Sequence, residues 1–313
     1  MDERFLVTGS GGCIGAWTVA QLVGEGTGVV AFDASEDDHR LRLLLSDDEL
    51  AALTRVRGDI TDLEGVERVL DEHAITHVVH LAALQVPFCR ADPPLGARVN
   101  VVGTVNVFEA VARRRERIAA PVVYASSVAA YDALDEGEDH AKMVGVPSTL
   151  YGVYKRANEG TAMVYAEERD TGSVGLRPHT VYGPGRDQGL TSAPTVAMLH
   201  AAAGKPYTLP FGGAYQLQYA PDVAAAFVAA ARSEGAEGAA LEDVGGETVR
   251  VEEVIAAIEA ASPGAAIDHE PVVLPFPSAT GGGVMPTSLE DGVADTIARF
   301  RALLERGLVA LPH

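Results

Sequence analysis

The stretch Thr8-Gly-Ser-Gly-Gly-Cys-Ile-Gly15 constrains this chain more than any other. It follows an apolar run, Arg4-Phe-Leu-Val-Thr8, that reads as a buried strand, and it opens a segment, Ile14 to Val23, with apolar residues at helical spacing. Glycines at positions 9, 12 and 15 let the backbone turn sharply, admit a pyrophosphate and pack the helix close to the strand. The unpaired N–H groups and the dipole of that helix end favour an anion. Glycine is abundant here, 33 of 313 residues, so a cluster alone would carry little; the strand-turn-helix setting is what predicts a dinucleotide site.

A second apolar run, Gly28-Val-Val-Ala-Phe-Asp33, ends in an acid a little over 20 residues after Gly9. A dinucleotide fold places a carboxylate there on the adenosine ribose hydroxyls, and neither Ala34 nor Ser35 is an arginine that would take a 2′-phosphate. NAD is therefore favoured over NADP. Further strands are predicted at Arg55–Ile60, His77–Ala83, Ala120–Ser126 and Ser173–Arg177. Helices are predicted at Leu63–Glu72, across Pro93–Arg115 and at Ser148–Arg169. Alternation of this kind implies a doubly wound parallel sheet of the α/β class, with right-handed crossovers and its ligand at the carboxyl ends of the strands.

Beyond Pro178 the pattern loosens into a turn-rich loop, Val181–Leu190. After it come helices near Pro194–Ala203, Pro221–Arg232, Val251–Ala261 and Leu289–Arg306, and short strands at Tyr207–Phe211 and Ile267–Leu274. Prolines and glycines between Pro271 and Pro286 mark a loop long enough to cover a site. Residues 1–178 are thus expected to form the nucleotide-binding domain with the reacting groups. Residues 179–313 are expected to form mainly a smaller C-terminal substrate-binding lobe, with segments near 215–245 returning to the first.

The formal charge of −20 argues against nucleic acid, whose phosphates need Lys and Arg, and against an anionic membrane surface. No apolar run is long enough to cross a bilayer, no secretory leader pattern opens the chain, and a cytoplasmic location is expected. Only two cysteines are present, Cys13 and Cys89, without metal-type neighbours, and His73, His77 and His80 do not share a face, so no metal site is expected. Cys13 reads as a space-filler beside the glycine turn.

Lysine occurs only three times, at 142, 155 and 205, which makes Tyr151-Gly-Val-Tyr-Lys155 notable. Phenol and ammonium four apart share one face of a helix. A tyrosine of pKa about 10 is a poor base near neutrality, but a cation at ~4 Å and an effective dielectric near 20 contributes about 4 kcal/mol, roughly three pKa units before desolvation opposes it. Ser126 and Ser127 close the fifth strand, where a hydroxyl can hold the same substrate oxygen, or simply cap the strand.

Together these motifs resemble the extended short-chain dehydrogenase/reductases, within them the NAD-dependent epimerase/dehydratase family with its UDP-glucose 4-epimerase-like enzymes. The resemblance rests on the glycine turn, Asp33, Asp59-Ile60, His80-x-Ala-Ala83, Asn100, Ser126-Ser127 ahead of Tyr131, Tyr151-x-x-x-Lys155 and Arg177-Pro-x-x-Val-Tyr-Gly-Pro184. It covers most of the first 230 residues. It implies a Rossmann fold and a catalytic set of Ser127, Tyr151 and Lys155, with Tyr151 the acid/base and Lys155 lowering its pKa and binding the nicotinamide ribose. The cofactor is implied to lie along Gly9, Gly12, Cys13, Ile14 and Gly15, against Asp33, with Asp59 and Ile60 facing the adenine. Leu81, Ala82, Ala83, Asn100 and Pro178 complete that side. Gln85, Ser127, His179 and Arg186 are implied to meet a sugar-like small molecule, and a homodimer through the helices near 93–115 and 148–169 is expected.

Three departures shape the functional reading. Ser127 is followed by Val128 and Ala129, without the Asp-Glu pair of sugar-nucleotide dehydratases, so dehydration is disfavoured. Before Tyr219-Ala-Pro-Asp-Val223 stand Gln216 and Gln218 in place of a diphosphate-holding arginine, and residues 251–298 contain no Lys or Arg. Epimerisation with a retained cofactor, net oxidation or reduction of a smaller hydroxy compound, and a catalytically silent NAD-binding protein remain the readings in view. Intact Ser127, Tyr151 and Lys155 speak against the last.

Overall fold

The computed structural model describes residues 2–131, 147–233, 238–274 and 277–311. Lys142 and Pro275 lie outside them. The first half alternates strand and helix: β1 (Arg4–Thr8), α1 (Cys13–Gly24), β2 (Gly28–Asp33), α2 (His39–Leu44), α3 (Asp47–Ala52), β3 (Thr54–Arg57), α4 (Leu63–Glu72) and β4 (His77–His80). There follow α5 (Val86–Ala91), α6 (Pro93–Ala97), α7 (Gly103–Ala112), β5 (Val122–Ala125), α8 (Leu150–Arg169), β6 (Ser173–Arg177) and β7 (Thr180–Tyr182). The remainder is α9 (Ala193–Ala202), β8 (Tyr207–Leu209), β9 (Ala214–Tyr219), α10 (Ala220–Ala231), β10 (Ala239–Asp243), β11 (Thr248–Arg250), α11 (Val251–Ala261), β12 (Ile267–His269) and α12 (Leu289–Glu305).

Seven of these strands form one parallel sheet in the order β10-β6-β5-β4-β1-β2-β3. Alternate residues of β1 feed its two faces, as a strand's period of two requires. Phe5 and Val7 pack with α1 and α10 through Val19, Leu22, Val223 and Phe227, while Leu6 joins Val66, Val69 and Leu70 of α4 and Val107 and Phe108 of α7. A third core gathers Met198, Phe211, Tyr215, Ile258, Ile297 and Phe300 around a three-stranded sheet, β11-β9-β7, and a two-stranded one, β12-β8. No helix among the described residues is long and apolar enough to cross a membrane.

The single helix predicted across Pro93–Arg115 is instead α6, a π-helical turn at Arg98–Val102 and α7. That turn carries Asn100, whose side chain is bound to the loop after β4. Such π turns are rare and often mark functional sites. The strand predicted over Ile267–Leu274 is shortened to Ile267–His269, and β7 runs into what the sequence reads as loop.

Candidate active site

The strand order reverses between β1 and β4, and in sheets of this kind a ligand binds outside the carboxyl ends at that point. Thr8 and His80 end the two strands side by side, Thr8 Oγ1 lying 2.7 Å from His80 Nδ1. His80 Nε2 lies 3.0 Å from Thr104 Oγ1, whose hydroxyl donates to Asn100 O at 2.7 Å. The hydroxyl proton of Thr104 being spent, His80 Nε2–H donates to it and Nδ1 accepts from Thr8. Burial pushes this imidazole down to about 3, so it is neutral. It braces the switch point as an uncharged hydrogen-bond bridge.

The glycine turn is built as its spacing requires. Gly9 has φ +71°, and a Cβ there would lie 2.6 Å from Ala82 N. A Cβ at Gly15 would overlap Gly9 O, so α1 reaches the strand only because that residue is glycine. Gly12 is the N-cap of α1; no side chain caps the helix, and its first turn, which includes Cys13 and Ile14, holds no acid. The N–H groups of Gly9 to Gly12 are taken up within the fold, so it is the first turn of α1, Cys13 to Gly15, that presents N–H donors to an anion.

Asp33 ends β2 beside it, Oδ2 accepting from Gly11 N at 2.9 Å and Oδ1 from Ser35 N at 2.9 Å. A depression of about 520 Å³ opens here, lined by Ser10, Gly11, Asp33, Glu36, Asp37, Asp38, Arg55 and Arg57 among others. Its arginines are engaged, Arg55 with Asp38 at 2.7 Å and Arg57 with Glu36 at 2.8 Å. Four carboxylates beside two paired arginines fit a ribose diol and oppose a 2′-phosphate. An NAD-type adenosine half thus fits the residues present.

Other expected cofactor residues are more varied. Leu81 N donates to Thr8 O at 3.0 Å, so Leu81, Ala82 and Ala83 run over the end of β1. Ile60 is buried in the core with its side chain against Gly103, while Asp59 is exposed and Oδ1 accepts from Thr61 N at 2.8 Å. Asn100 is spent on protein: Oδ1 accepts from Leu84 N at 2.7 Å, and Nδ2 donates to Leu84 O at 2.9 Å and to Cys89 Sγ at 3.5 Å. Pro178 O accepts from Val128 N, which holds the turn after β5.

At the end of β5 the two serines divide. Ser126 Oγ donates to the buried Glu159 Oε1 at 2.5 Å, whereas Ser127 Oγ accepts from Ala129 N at 3.1 Å and lies near enough to the Tyr151 phenol to favour its ionised form. Lys155 is buried, its Nζ 5.4 Å from the centre of the Tyr151 ring and donating to Ala125 O at 2.7 Å. The sequence expectation of an ammonium that lowers the phenol's pKa meets a different balance here. Burial raises Tyr151, the Ser127 hydrogen bond and the Arg186 charge oppose it, and the Lys155 proton faces a backbone carbonyl instead. Burial also brings Lys155 from 10.5 to about 8.

Two residues that sequence reasoning missed make this possible. Gly152, next to Tyr151, lets α8 seat on the turn after β5: a Cβ there would overlap Ala129 O. A glycine inside a helix costs about 1 kcal/mol relative to alanine and was the available signal. Glu159, one turn beyond Lys155, forms a two-pronged ion pair with Arg177, Nε to Oε1 at 2.8 Å and Nη2 to Oε2 at 2.9 Å. Arg177 Nη1 then donates to Tyr131 OH at 2.8 Å, and that phenol donates to Asp243 at 2.7 Å.

Gln216, Gln218 and His179 tie down the loops around this cleft. Gln218 donates to Val244 O and Gly245 O and accepts from His179 N, while Gln216 accepts from Thr280 Oγ1 at 2.8 Å and donates to Gly246 O. Burial lowers His179 to about 4, so its neutral ring donates through Nε2 to Pro277 O at 2.7 Å. Gln85 caps α5 and faces the loop at Gly189. Arg186 binds Gln188 O at 2.6 Å and Thr191 Oγ1 at 2.7 Å, and among the described residues no carboxylate pairs with it.

With this geometry in place, four likenesses bear on the chain. The NAD dependent epimerase/dehydratase family matches residues 5–242. UDP-glucuronate 4-epimerase 2 of Arabidopsis thaliana is 32% identical over 184 residues, 57% of this chain and 42% of that protein, so the chain spans less than half of that relative's length. The solved UDP-glucose 4-epimerase of Thermus thermophilus, in complex with NAD, superposes with a TM-score of 0.76 at 28% identity, covering 95% of this chain and 99% of that one. A partial-consensus L-threonine 3-dehydrogenase shares the fold, with a TM-score of 0.80, 24% identity and coverage of 96% and 99%.

Proposed function

The chain belongs to the NAD-dependent epimerase/dehydratase family, and from that premise we propose that it is an epimerase-type enzyme working on a secondary alcohol of a sugar or sugar nucleotide. The observation that carries this reading is the gathering of three side chains between the end of β5 and α8: the Ser127 hydroxyl acts on the Tyr151 phenol, and Lys155 Nζ lies buried 5.4 Å from the centre of the same ring. NAD, when bound, supplies the hydride acceptor and donor. The turn Gly9–Gly15 and the uncapped start of α1 would hold its diphosphate, Asp33 its adenosine ribose, and Lys155 its other ribose with the donors not spent on Ala125 O.

Ser127 holds the substrate oxygen by its hydroxyl and so fixes the carbon that reacts. Tyr151, kept protonated at neutral pH by burial, gives its proton to that oxygen as a carbonyl is reduced and takes it back from the alcohol in the reverse step. The substrate lobe we assign mainly to residues 179–313, built on β7, β9 and β11 with α9, α11 and α12, while α10 and β10 return to the seven-stranded sheet and its core.

A second reading, net oxidation or reduction of a smaller hydroxy compound, draws on Gln216 and Gln218. Both side chains are spent on loop backbone and offer nothing to a substrate diphosphate. One assay separates the two. Protein loaded with NAD is given UDP-sugars, free sugars and hydroxy acids, and reduced nicotinamide and isomer formation are followed together. Interconversion of isomers without accumulated NADH is expected. Stoichiometric NADH from a free sugar or hydroxy acid would establish the second reading instead.

A homodimer is also proposed through α8. Met163 is 60% exposed and Val164 48%, and Leu150 and Val153 on the same helix are exposed as well. Sedimentation is expected to give twice the chain mass, and V164K to give a monomer with the same melting temperature. A monomeric wild type would end this part of the reading.

A further inference from the structure

The loop that follows β7 is pinned against the glycine turn from three sides. Trp17, on α1, donates through Nε1 to Pro184 O at 2.9 Å. Arg40, at the start of α2, is nearly enclosed, with a side chain 12% exposed. It donates to Gly11 O at 2.8 Å and to Gly185 O at 2.9 Å, so one guanidinium joins the glycine turn to the loop. Its remaining arm meets Asp187 at 2.6 Å, and His39 Nε2 reaches the same carboxylate at 3.1 Å. Gly185, at φ +89°, turns the chain at this pin, one residue before Arg186, whose guanidinium donates to Gln188 O and Thr191 Oγ1 of the same loop. The positive charge of Arg186 acts on both Cys13, at the start of α1, and Tyr151.

We propose that this loop is the second wall of the dinucleotide site, with Arg186 the counter-charge to the cofactor diphosphate across from the α1 N-terminus, and with Arg40 the positioning residue that holds it there. The assignment rests on the NAD reading above and moves Arg186 from the substrate, where the sequence places it, to the cofactor. Its chemistry supports the move: a planar guanidinium with no carboxylate partner among the described residues, on a loop that Arg40 ties to the glycine turn, is suited to a dianion that it shares with the start of α1. Arg40 is less suited to that role, since its charge is already paired with Asp187 and two carbonyls hold it in place. Asp187 in turn draws Arg40 and His39 to the loop while lying one residue beyond Arg186.

The test uses NAD and ADP-ribose as probes, because both carry the diphosphate and only NAD carries the nicotinamide. Binding is measured by calorimetry for the wild type, R186Q and D187N, each first shown to melt as the wild type does. R186Q is expected to weaken NAD and ADP-ribose alike, by about tenfold, and to flatten the dependence of Kd on salt. D187N, which loosens the pin and keeps the guanidinium, is expected to weaken both alike by about threefold with the salt dependence retained. If R186Q binds ADP-ribose as tightly as the wild type does, the proposal falls and Arg186 returns to the substrate. Wild-type protein that binds neither probe would instead sink the cofactor reading on which the proposal rests.

Discussion

Tyr151→Phe is expected to lower turnover by about 10³-fold while leaving NAD affinity within about twofold of the wild type. The phenol lies near Ser127 and can exchange a proton with the substrate oxygen, and phenylalanine fills nearly the same volume without that proton. Lys155 sets the pH dependence that accompanies this. Burial lowers its ammonium from 10.5 to about 8, so the charge is present below that pH and is lost as pH rises through it. The carbonyl-reducing half-reaction of the wild type, in which the protonated phenol acts as acid, should therefore decline above about pH 8. Burial holds Tyr151 above its usual value, so the phenol stays protonated through this decline and does not set it. A pH–rate profile of wild type and Y151F on whichever substrate turns over checks both points. Retention of wild-type turnover by Y151F would remove Tyr151 from the chemistry. A profile level to about pH 10 would remove the Lys155 charge from it.

The parts of the site that lay open in the sequence are those set by local chemistry. β1, β2, β4, β5 and β6 are largely buried on both faces, so they read as near-continuous apolar runs, and each ends where a motif residue stands. Gly9, Gly12, Gly15 and Asp33 were legible because a turn that lets α1 close on β1 has few alternatives to glycine. What stayed hidden depends on partners far along the chain. β9 carries Gln216 and Gln218 inside its run, and their burial makes sense only beside the carbonyls of residues 244–246 and 280. β10 is an edge strand with exposed Leu241 and Glu242, so its pattern is weak. α3 had a signal that went unread, the Ser46–Glu49 capping box. The π turn that breaks the expected long helix answers to Asn100 and Leu84, sixteen residues apart in sequence. Arg40 and Arg177 have the same character, since the groups they bind lie on other elements.

Arg177 carries the largest expected effect on stability. Its side chain is 11% exposed and that of Glu159 7%, so the two charges meet largely out of water. Burial opposes the Arg177 charge, and the hydrogen bonds to Glu159 hold it ionised. Arg177→Met removes the cation and leaves Glu159, among the described residues, with Ser126 as its one side-chain hydrogen-bond partner, a poorly compensated buried carboxylate whose cost is about 3–5 kcal/mol. Tyr131 loses its stacked guanidinium, 4.5 Å from its ring, in the same step. Chemical denaturation of R177M should show that loss. The double variant R177M/E159L should recover much of it, because the buried carboxylate is then gone as well. An R177M protein within about 1 kcal/mol of the wild type would mean that water or a neighbouring group reaches Glu159. The consequence extends to the reaction, for Ser126 precedes Ser127 and Glu159 lies one turn from Lys155. The double variant, stable but without the pair, should still turn over more slowly than the wild type, because the end of β5 and the start of α8 would no longer be tied by charge. Recovery of stability with full recovery of rate would confine Arg177 and Glu159 to the fold.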